Sequence, residues 1–267
     1  MRTTRLAEPV AAAVLAAAMP GSVLGQEAAR SAVTEANNPL TPKITVNLQN
    51  YYTTDLFGLP GQTADQFLLR GLVPLKLFGQ GQLLRATLPV AWAPALPDGS
   101  SSGLGDLTLM DLLLFPAGHM AFGGGPMLVA PTAGRKETGA GKWQAGAAAV
   151  IVMPMPDALL GALATYQQSF AGDDDRAEVS LLTFQPIVTY NLPEGFYLRS
   201  TATWNFNFDN DDYYIPVGLG GGKVWVTDSG ATLNLFVEPQ LTVAHQGDGQ
   251  PSFQIFAGLN LQFPIGR

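Results

Sequence analysis

Apolar and polar residues alternate along most of the chain, from about Lys43 onward, in runs of about ten to thirteen residues. Successive side chains of a β-strand point to opposite faces of a sheet, so each run has one apolar and one polar face. Strands of globular proteins average about five or six residues, whereas a tilted strand needs about nine to eleven to cross a bilayer. The length of the runs therefore predicts membrane-spanning strands.

The runs predict an all-β fold, a transmembrane antiparallel up-and-down β-barrel of about 12 strands. An open sheet cannot span lipid, because each unpaired backbone group at its edge costs several kcal/mol. Aromatic residues near the strand ends suit the interfacial girdles of such barrels. The expected strands are roughly 43–54, 65–78, 82–93, 103–115, 119–130, 142–154, 158–170, 178–190, 195–208, 212–226, 231–245 and 251–263.

The connections between these runs alternate between short turns and longer loops, as in outer-membrane barrels. The connection near Asp209 to Asp211 is short and departs from the pattern. With an even number of strands, both chain ends lie on the tight-turn side, which we expect to face the periplasm.

Composition excludes several classes of protein. A hydrophobic fraction of 47% is too high for a disordered chain. With no cysteine, the chain has neither a disulfide framework nor a cysteine-based zinc site. A net charge of −7 argues against a nucleic-acid partner.

The first segment has the layout of a secretory signal peptide, with Arg2 and Arg5 before an apolar stretch that ends at Pro20. We expect residues 1–25 to be removed, residues 26–42 to form a flexible leader, and residues 43–267 to form the barrel. An amphipathic N-terminal helix is the alternative.

Residues 145–164 are almost wholly apolar and offer a second interpretation, a spanning helix. Pro154 and Pro156 lie in the middle of this stretch, and Asp157 would be stranded in lipid. Two strands joined by a proline-containing turn explain the segment better.

A resemblance to a known family rests on several short motifs. Gly103-Leu104-Gly105-Asp106, followed by a strand ending at Pro116, resembles the GLGD signature of the outer-membrane family named for the phenol meta-degradation pathway. The next hairpin, with Gly125-Pro126 and Pro131-Thr132, is similar to that family's. Further blocks at 215–224, 238–240 and 256–263 resemble secreted bacterial proteins often described as transporter-like. The resemblance covers roughly 67–263 and implies an outer-membrane barrel that passes small, often apolar molecules.

Charged and amide side chains on the polar faces are the candidate site residues. A cation facing lipid at the bilayer midplane costs about 2–4 kcal/mol, so these side chains should face the lumen. They predict either a charged constriction that sets selectivity or an ion-pair network that plugs a narrow barrel. The candidates are Arg70, Lys76, Arg85, Asp106, Asp111, Arg199, Asn205, Lys223, Glu238 and Gln240. Asp106 and Asp111 have opposite parity, and the face of Lys223 among its glycines stays open.

Catalytic, metal and cofactor sites are not expected. The two histidines, His119 and His245, have no flanking serine motif of the kind a nucleophilic hydrolase needs. Acidic runs at 173–175 and 209–212 lack the fixed spacing of a dedicated calcium loop and are expected to be solvated loop charge.

The sequence thus predicts a passive outer-membrane channel or transporter for small, possibly hydrophobic, molecules. The alternative is a non-conducting structural or adhesin-like barrel that acts through its outer loops; a membrane hydrolase and a soluble secreted β-sandwich are further hypotheses. The expected partners are membrane lipid, lipopolysaccharide, the barrel-assembly machinery and small solutes.

Overall fold

A computed structural model of the chain describes residues 25–95 and 99–265. The predicted signal peptide, residues 1–25, lies outside the described residues except for Gly25 and stays a prediction.

The described residues form one helix and a single large sheet. A short 3₁₀ turn covers Pro193–Gly195. The elements are α1 (Gln26–Asn37), β1 (Ile44–Leu56), β2 (Ala64–Leu77), β3 (Gln80–Pro94), β4 (Ser100–Leu104), β5 (Leu107–Ala117), β6 (Met120–Ala130), β7 (Lys142–Pro154), β8 (Ala158–Gly172), β9 (Ser180–Asn191), β10 (Phe196–Ser200), β11 (Trp204–Asn207), β12 (Tyr213–Gly218), β13 (Gly220–Val226), β14 (Thr232–Gln246) and β15 (Pro251–Phe263).

The sheet closes on itself into a barrel. Strands β1 and β15 pair antiparallel, from Ile44 opposite Phe263 to Leu56 opposite Pro251. Three of the segments that cross the barrel are each made of two strands, namely β4 with β5, β10 with β11 and β12 with β13. The fold is therefore a closed antiparallel barrel of 12 crossing segments, which confirms the predicted architecture.

The stretch 145–164 is not a helix. It forms β7 and β8, which pair from Lys142 opposite Gly172 to Pro154 opposite Leu159. Among the described residues, no helix is long and apolar enough to cross a membrane.

The wall of the barrel has an apolar outer face and a mixed inner face. On β2, Leu69 and Val73 point outward and are 43% and 45% exposed. Leu68 points to the opposite face of the strand and is buried. Large apolar side chains are exposed in the same way around the wall, including Leu84, Leu109, Leu128, Ile151, Val188, Leu198, Val237 and Leu241. This is the pattern of a surface that lipid covers.

The interior is divided into two chemically different halves. We call one the apolar half; it is a cluster of buried side chains from β3 and from β5 to β9, formed by Leu83, Met110, Leu112, Met127, Ala148, Val150, Val152, Leu159, Leu163 and Ile187. The opposite half, on β1, β10, β14 and β15 and at the β10–β11 break, combines the buried rings of Tyr197, Phe236 and Phe256 with many buried polar side chains. These polar residues include Thr45, Gln49, Arg199, Thr201, Asn234, Glu238, Gln240 and Gln254.

The expected flexible leader is corrected by the structure, since Gln26–Asn37 forms α1. Ala29, Val33 and Ala36 recur at helical spacing and are buried, and Val33 packs with Tyr197, Val224, Phe236 and Phe256 of the barrel. Because the helix can bury this apolar stripe inside the barrel, it is ordered against the wall rather than left in solvent.

Candidate lumen site

A cavity lies inside the barrel beside the end of α1. We call it the lumen cavity; its volume is about 140 Å³. Three arginines from different strands line it, Arg70 of β2, Arg85 of β3 and Arg199 of β10. Residues 36–39 and 41 of the leader form part of its wall.

Arg199 is neutralised by the buried carboxylate of Glu238. Its Nε donates to Glu238 Oε2 over 2.8 Å, and both side chains are almost wholly buried. Thr201 donates to the same carboxylate from its backbone N and from its Oγ1, each over 2.8 Å, and Gln240 Nε2 donates over 3.1 Å. The carboxylate is therefore fully hydrogen-bonded, which is the condition under which a buried charge is tolerated.

Two breaks in the neighbouring strands make room for Glu238. Where β10 gives way to β11, the N–H of Thr201 is free to donate to the carboxylate. At the break between β12 and β13, a Cβ added at Gly218 would lie 2.4 Å from Glu238 Oε1, and one added at Gly220 would lie 2.1 Å from the carbonyl oxygen of Val237. A side chain at Gly220 would meet the backbone of β14, and one at Gly218 would displace the Glu238 carboxylate, so both glycines favour the buried position of Glu238.

Aromatic rings hold the arginine from the other side. The guanidinium of Arg199 lies 3.7 Å from the centroid of the Phe236 ring, and Phe256 stacks on Tyr51 at 4.1 Å. A cation over a desolvated ring is stabilised by about 2 kcal/mol. Arg199 is thus fixed by charge, hydrogen bonds and rings together.

Arg70 and Arg85 are much less satisfied. Arg70 donates from Nη1 to Gln49 Oε1 over 2.5 Å, and Gln49 in turn donates to Asn260 over 2.9 Å. Within residues 25–95 and 99–265, the buried Nε of Arg70 has no hydrogen-bond partner. Over the same residues Arg85 makes no ion pair and no side-chain hydrogen bond, although it shares the lumen cavity with Arg70.

The leader lies at the tight-turn end of the barrel, the end where strands are joined by the short turns. Arg30 pairs with Asp157 of the β7–β8 turn over 2.6 Å. Asn191 Nδ2 donates to Thr34 Oγ1 over 2.8 Å, and Asn234 Nδ2 donates to Asn37 Oδ1 over 3.3 Å. Polar and apolar contacts together seat the leader across this end.

Six of the predicted lumen residues lie on the inner face. Arg70, Arg85 and Arg199 line the lumen cavity, and Glu238 and Gln240 are buried beside it. Asn205 also points inward, but it lies nearer the opposite, loop-bearing end, next to Tyr214.

The structure corrects the lumen assignment of Lys76 and Asp106. Lys76 is exposed near the end of β2, just before the β2–β3 connection, so it lies at the rim of the barrel. Asp106 lies between β4 and β5, and its carboxylate accepts hydrogen bonds from the backbone N of Ala133 (3.1 Å) and of Ala140 (2.6 Å). Asp106 therefore holds the 131–141 loop.

Asp111 and Lys223 are corrected for a different reason, because their strands turn them outward. Asp111 pairs with the outward-facing Leu84, whereas Met110 and Leu112 on either side are buried inside. Lys223 pairs with Phe196, which is 43% exposed, and its Nζ lies 4.1 Å from the centroid of that ring. Both side chains lie on the outer face.

The two histidines lie far apart, His119 exposed in the β5–β6 turn and His245 in β14. His245 stacks on Phe57 with ring centroids 3.5 Å apart at the loop-bearing end. Within the described ranges, no group of three or more His, Asp or Glu side chains is placed to hold a metal ion.

Sequence reasoning missed α1 and the polar side chains that bind it. The helical spacing of Ala29, Val33 and Ala36 was the available signal. Asn191 and Asn234 gave no such signal, because an amide on the polar face of a strand does not show what it will contact.

Comparisons with known proteins were made at the level of families, sequences and structures. No family model matches the sequence. No curated protein matches it either. Among solved structures, the COG4313 outer membrane channel from Pseudomonas putida F1 is similar over 85% of this chain and 98% of that chain, with a TM-score of 0.66 and 16% identity.

The chain has the fold of an outer-membrane barrel. Two weaker likenesses are to the KdgM porin (TM-score 0.46, 9% identity, 83% of this chain and 99% of that chain) and to a Pseudomonas aeruginosa FadL homologue (TM-score 0.39, 11% identity, 91% and 95%). The resemblance to the phenol meta-degradation family stays a prediction.

Proposed function

We propose that the chain is a passive outer-membrane channel or transporter for small molecules, including apolar ones, and that the leader closes it at the periplasmic end. The observation that carries this proposal is the placement of α1. It is seated in a closed barrel by a few side-chain hydrogen bonds, by the partly exposed ion pairs Arg30–Asp157 and Glu35–Lys43, and by a small apolar stripe, and none of these contacts belongs to the strand pairing of the wall.

The division of the lumen supports the range of solutes. A water-filled porin lumen is polar, whereas here one half is lined by buried Leu, Val, Ile and Met side chains. An apolar solute that crosses beside the apolar half keeps contact with apolar surface. The charged side chains of the opposite half then determine which polar groups the solute can carry. The proposed mechanism needs no covalent chemistry and therefore no catalytic residue.

The proposed location is the outer membrane, with the tight turns facing the periplasm. The apolar outer face supports contact with lipid, and secretion through a signal peptide and insertion by the barrel-assembly machinery are parts of the same proposal. The loops at 131–141 and 173–179 would then face lipopolysaccharide.

A reversible cross-link tests the role of the leader. The chain has no cysteine, so the pair Thr34→Cys and Asn191→Cys, whose native side chains are 2.8 Å apart, introduces the only disulfide. We expect the oxidised protein in liposomes to pass little solute and the reduced protein to recover the wild-type flux. Each single-cysteine variant, treated in the same way, is the matched control.

Unchanged flux in the oxidised protein would show that the leader is not the barrier. A second candidate function, a non-conducting barrel that acts through its loops, is favoured by the buried Arg199–Glu238 pair, which fills part of the lumen. It predicts no flux of any small solute in either redox state.

A further inference from the structure

Charge is unevenly distributed between the lumen and the rest of the molecule. The whole chain carries a net charge of −7. In the part of the chain that the structure describes, the lumen cavity is lined by Arg70, Arg85 and Arg199 and by no Asp or Glu. Glu238 neutralises one of these cations, so among the described residues Arg70 and Arg85 face the cavity without a counter-charge. Both arginines are partly buried in the barrel. A cation that has lost part of its hydration without gaining a counter-charge is costly, which makes a bound anion favourable.

The two remaining arginines are placed to hold one anion together. Arg70 lies opposite Thr87, and Arg85 is two residues from Thr87 on the same strand face. Such diagonal neighbours are about 7–8 Å apart across a strand pair, which is within reach of two long side chains. A guanidinium binds carboxylate and phosphate oxygens in a planar, bidentate manner.

Apolar surface begins directly beside the arginines. Leu72 and Ile187 line the lumen cavity too; Ile187 belongs to the apolar half and Leu72 packs against it. Leu40 of the leader is inserted into the same apolar half, where a Cβ added at Gly123 would lie 2.7 Å from its Cδ2. A leader side chain therefore occupies the space that an aliphatic chain would fill next to the cationic cavity.

We propose that the lumen binds a single-chain anionic amphiphile, with its carboxylate on Arg70 and Arg85 and its aliphatic tail in the apolar half in place of Leu40. This inference rests on the proposed function and names the substrate class of the same lumen. It assigns the unpaired arginines to the headgroup, and it makes binding of the tail compete with the seated leader.

Binding of dodecanoate tests the proposal directly. The purified protein in non-ionic detergent is incubated at pH 8 with radiolabelled dodecanoate, or with 1-dodecanol of the same chain length, and the retained label is compared with protein-free micelles. We expect the wild type to favour dodecanoate by at least about tenfold, because charge-assisted hydrogen bonds contribute most of the difference. Equal binding of the two ligands would overturn the proposal without reference to any variant.

Variants then locate the headgroup. Arg85→Gln and Arg70→Gln are each expected to lower the preference for dodecanoate about tenfold. Among the described residues, Arg85 makes no side-chain hydrogen bond that the substitution would remove. Lys223→Gln is the matched control, since it removes one positive charge from the outer face. Heat-modifiable gel mobility verifies that each variant is folded. An undiminished preference in folded Arg85→Gln and Arg70→Gln would place the anion elsewhere and overturn the assignment.

Competition separates an amphiphile from a free anion. Acetate and inorganic phosphate are expected to displace dodecanoate only at concentrations at least about a hundredfold higher, because they lack the tail. Displacement at equal concentration would overturn the amphiphile and leave a small-anion site. If the protein does not prefer dodecanoate over 1-dodecanol but the reduced Thr34→Cys/Asn191→Cys protein still passes solutes, this inference fails and the proposed function stands. If the protein prefers dodecanoate but passes no solute, the binding site stands and the proposed function fails.

Discussion

Glu238 shows how a single residue organises the barrel interior. Its carboxylate is fully buried and accepts hydrogen bonds from Arg199, Thr201 and Gln240, and Gln240 is held in turn by Gln254 over 2.8 Å. The pair offsets the cost of desolvating both charges only because every acceptor position is used. Removal of one partner leaves the other charged, buried and unpaired.

At this scale we expect Glu238→Gln to lower the free energy of unfolding by about 3–5 kcal/mol, because Arg199 loses its counter-charge. Urea titration of the detergent-solubilised barrel measures the change. Lys43→Met is the control, since Lys43 pairs with the half-exposed Glu35 over 3.0 Å, and its loss is expected to cost less than about 1 kcal/mol. Similar losses in the two variants would contradict the role given to the buried pair.

At the scale of elements, the break between β12 and β13 is a built feature of the wall. Gly220 pairs opposite Arg199 and lies against the backbone of β14. An added methyl group would meet the Val237 carbonyl oxygen at 2.1 Å and the Cα of Glu238 at 2.6 Å, and neither atom belongs to a flexible side-chain end.

We expect Gly220→Ala to destabilise the barrel by about 1–3 kcal/mol or more through overpacking against this backbone. Gly71→Ala on β2 is the matched control, because nothing lies within 4 Å of its added Cβ. The midpoint of heat-modifiability on gels compares the two. If Gly220→Ala were as stable as Gly71→Ala, β13 and β14 could move apart to admit the methyl group without loss of stability, which would contradict this prediction.

The loop at 173–179 offers a prediction about pH. Glu178 accepts hydrogen bonds from Lys142 Nζ (2.8 Å) and Ser169 Oγ (2.5 Å), and these interactions lower the pKa of its carboxyl group below the ordinary value of 4.5. A carboxyl group with a lowered pKa stabilises the folded loop when the pH is above the ordinary pKa. This contribution is lost as the pH falls through the lowered pKa.

We therefore expect amide hydrogen exchange in the loop to accelerate, relative to the rest of the barrel, as the pH falls below the ordinary carboxyl value of 4.5. Glu178→Gln keeps the size of the side chain and is expected to abolish this pH dependence. Loop protection that falls equally with pH in both proteins would show that another group is responsible.

At the scale of the whole molecule, the apolar outer face of the barrel predicts contact with lipid. Leu69 lies near the middle of β2 with Leu48 and Leu88 as its outward-facing partners on the adjacent strands. We expect Leu69→Arg to cost about 2–4 kcal/mol for the barrel folded in a phosphatidylcholine bilayer, because the charge is placed at membrane depth. Reversible unfolding from large vesicles measures it.

Phe78→Arg is the control for this experiment. Phe78 lies in the β2–β3 turn and is fully exposed, at 106% of its reference area, so the same substitution there is expected to be nearly neutral. Equal effects at the two positions would mean that the apolar outer face does not face acyl chains.

The long period-two runs determined the strand number and the antiparallel order, because alternation and length are local properties of the chain. The same parity placed Arg70, Arg85 and Arg199 on the inner face. It did not place Lys223, whose strand follows the break at Gly218, and it gave Asp111 no face.

Only the tertiary structure decided which inward side chains meet. The pairing of Arg199 with Glu238 joins residues on β10 and β14 across broken strands, and α1 is ordered only because the closed wall offers a surface to bury Val33. Local sequence specifies the face of a residue, whereas its partner depends on register, strand breaks and closure, which are properties of the assembled barrel. The positive charge that Arg70 and Arg85 bring to the lumen cavity likewise depends on the assembled barrel, because strand pairing decides which side chains share the cavity.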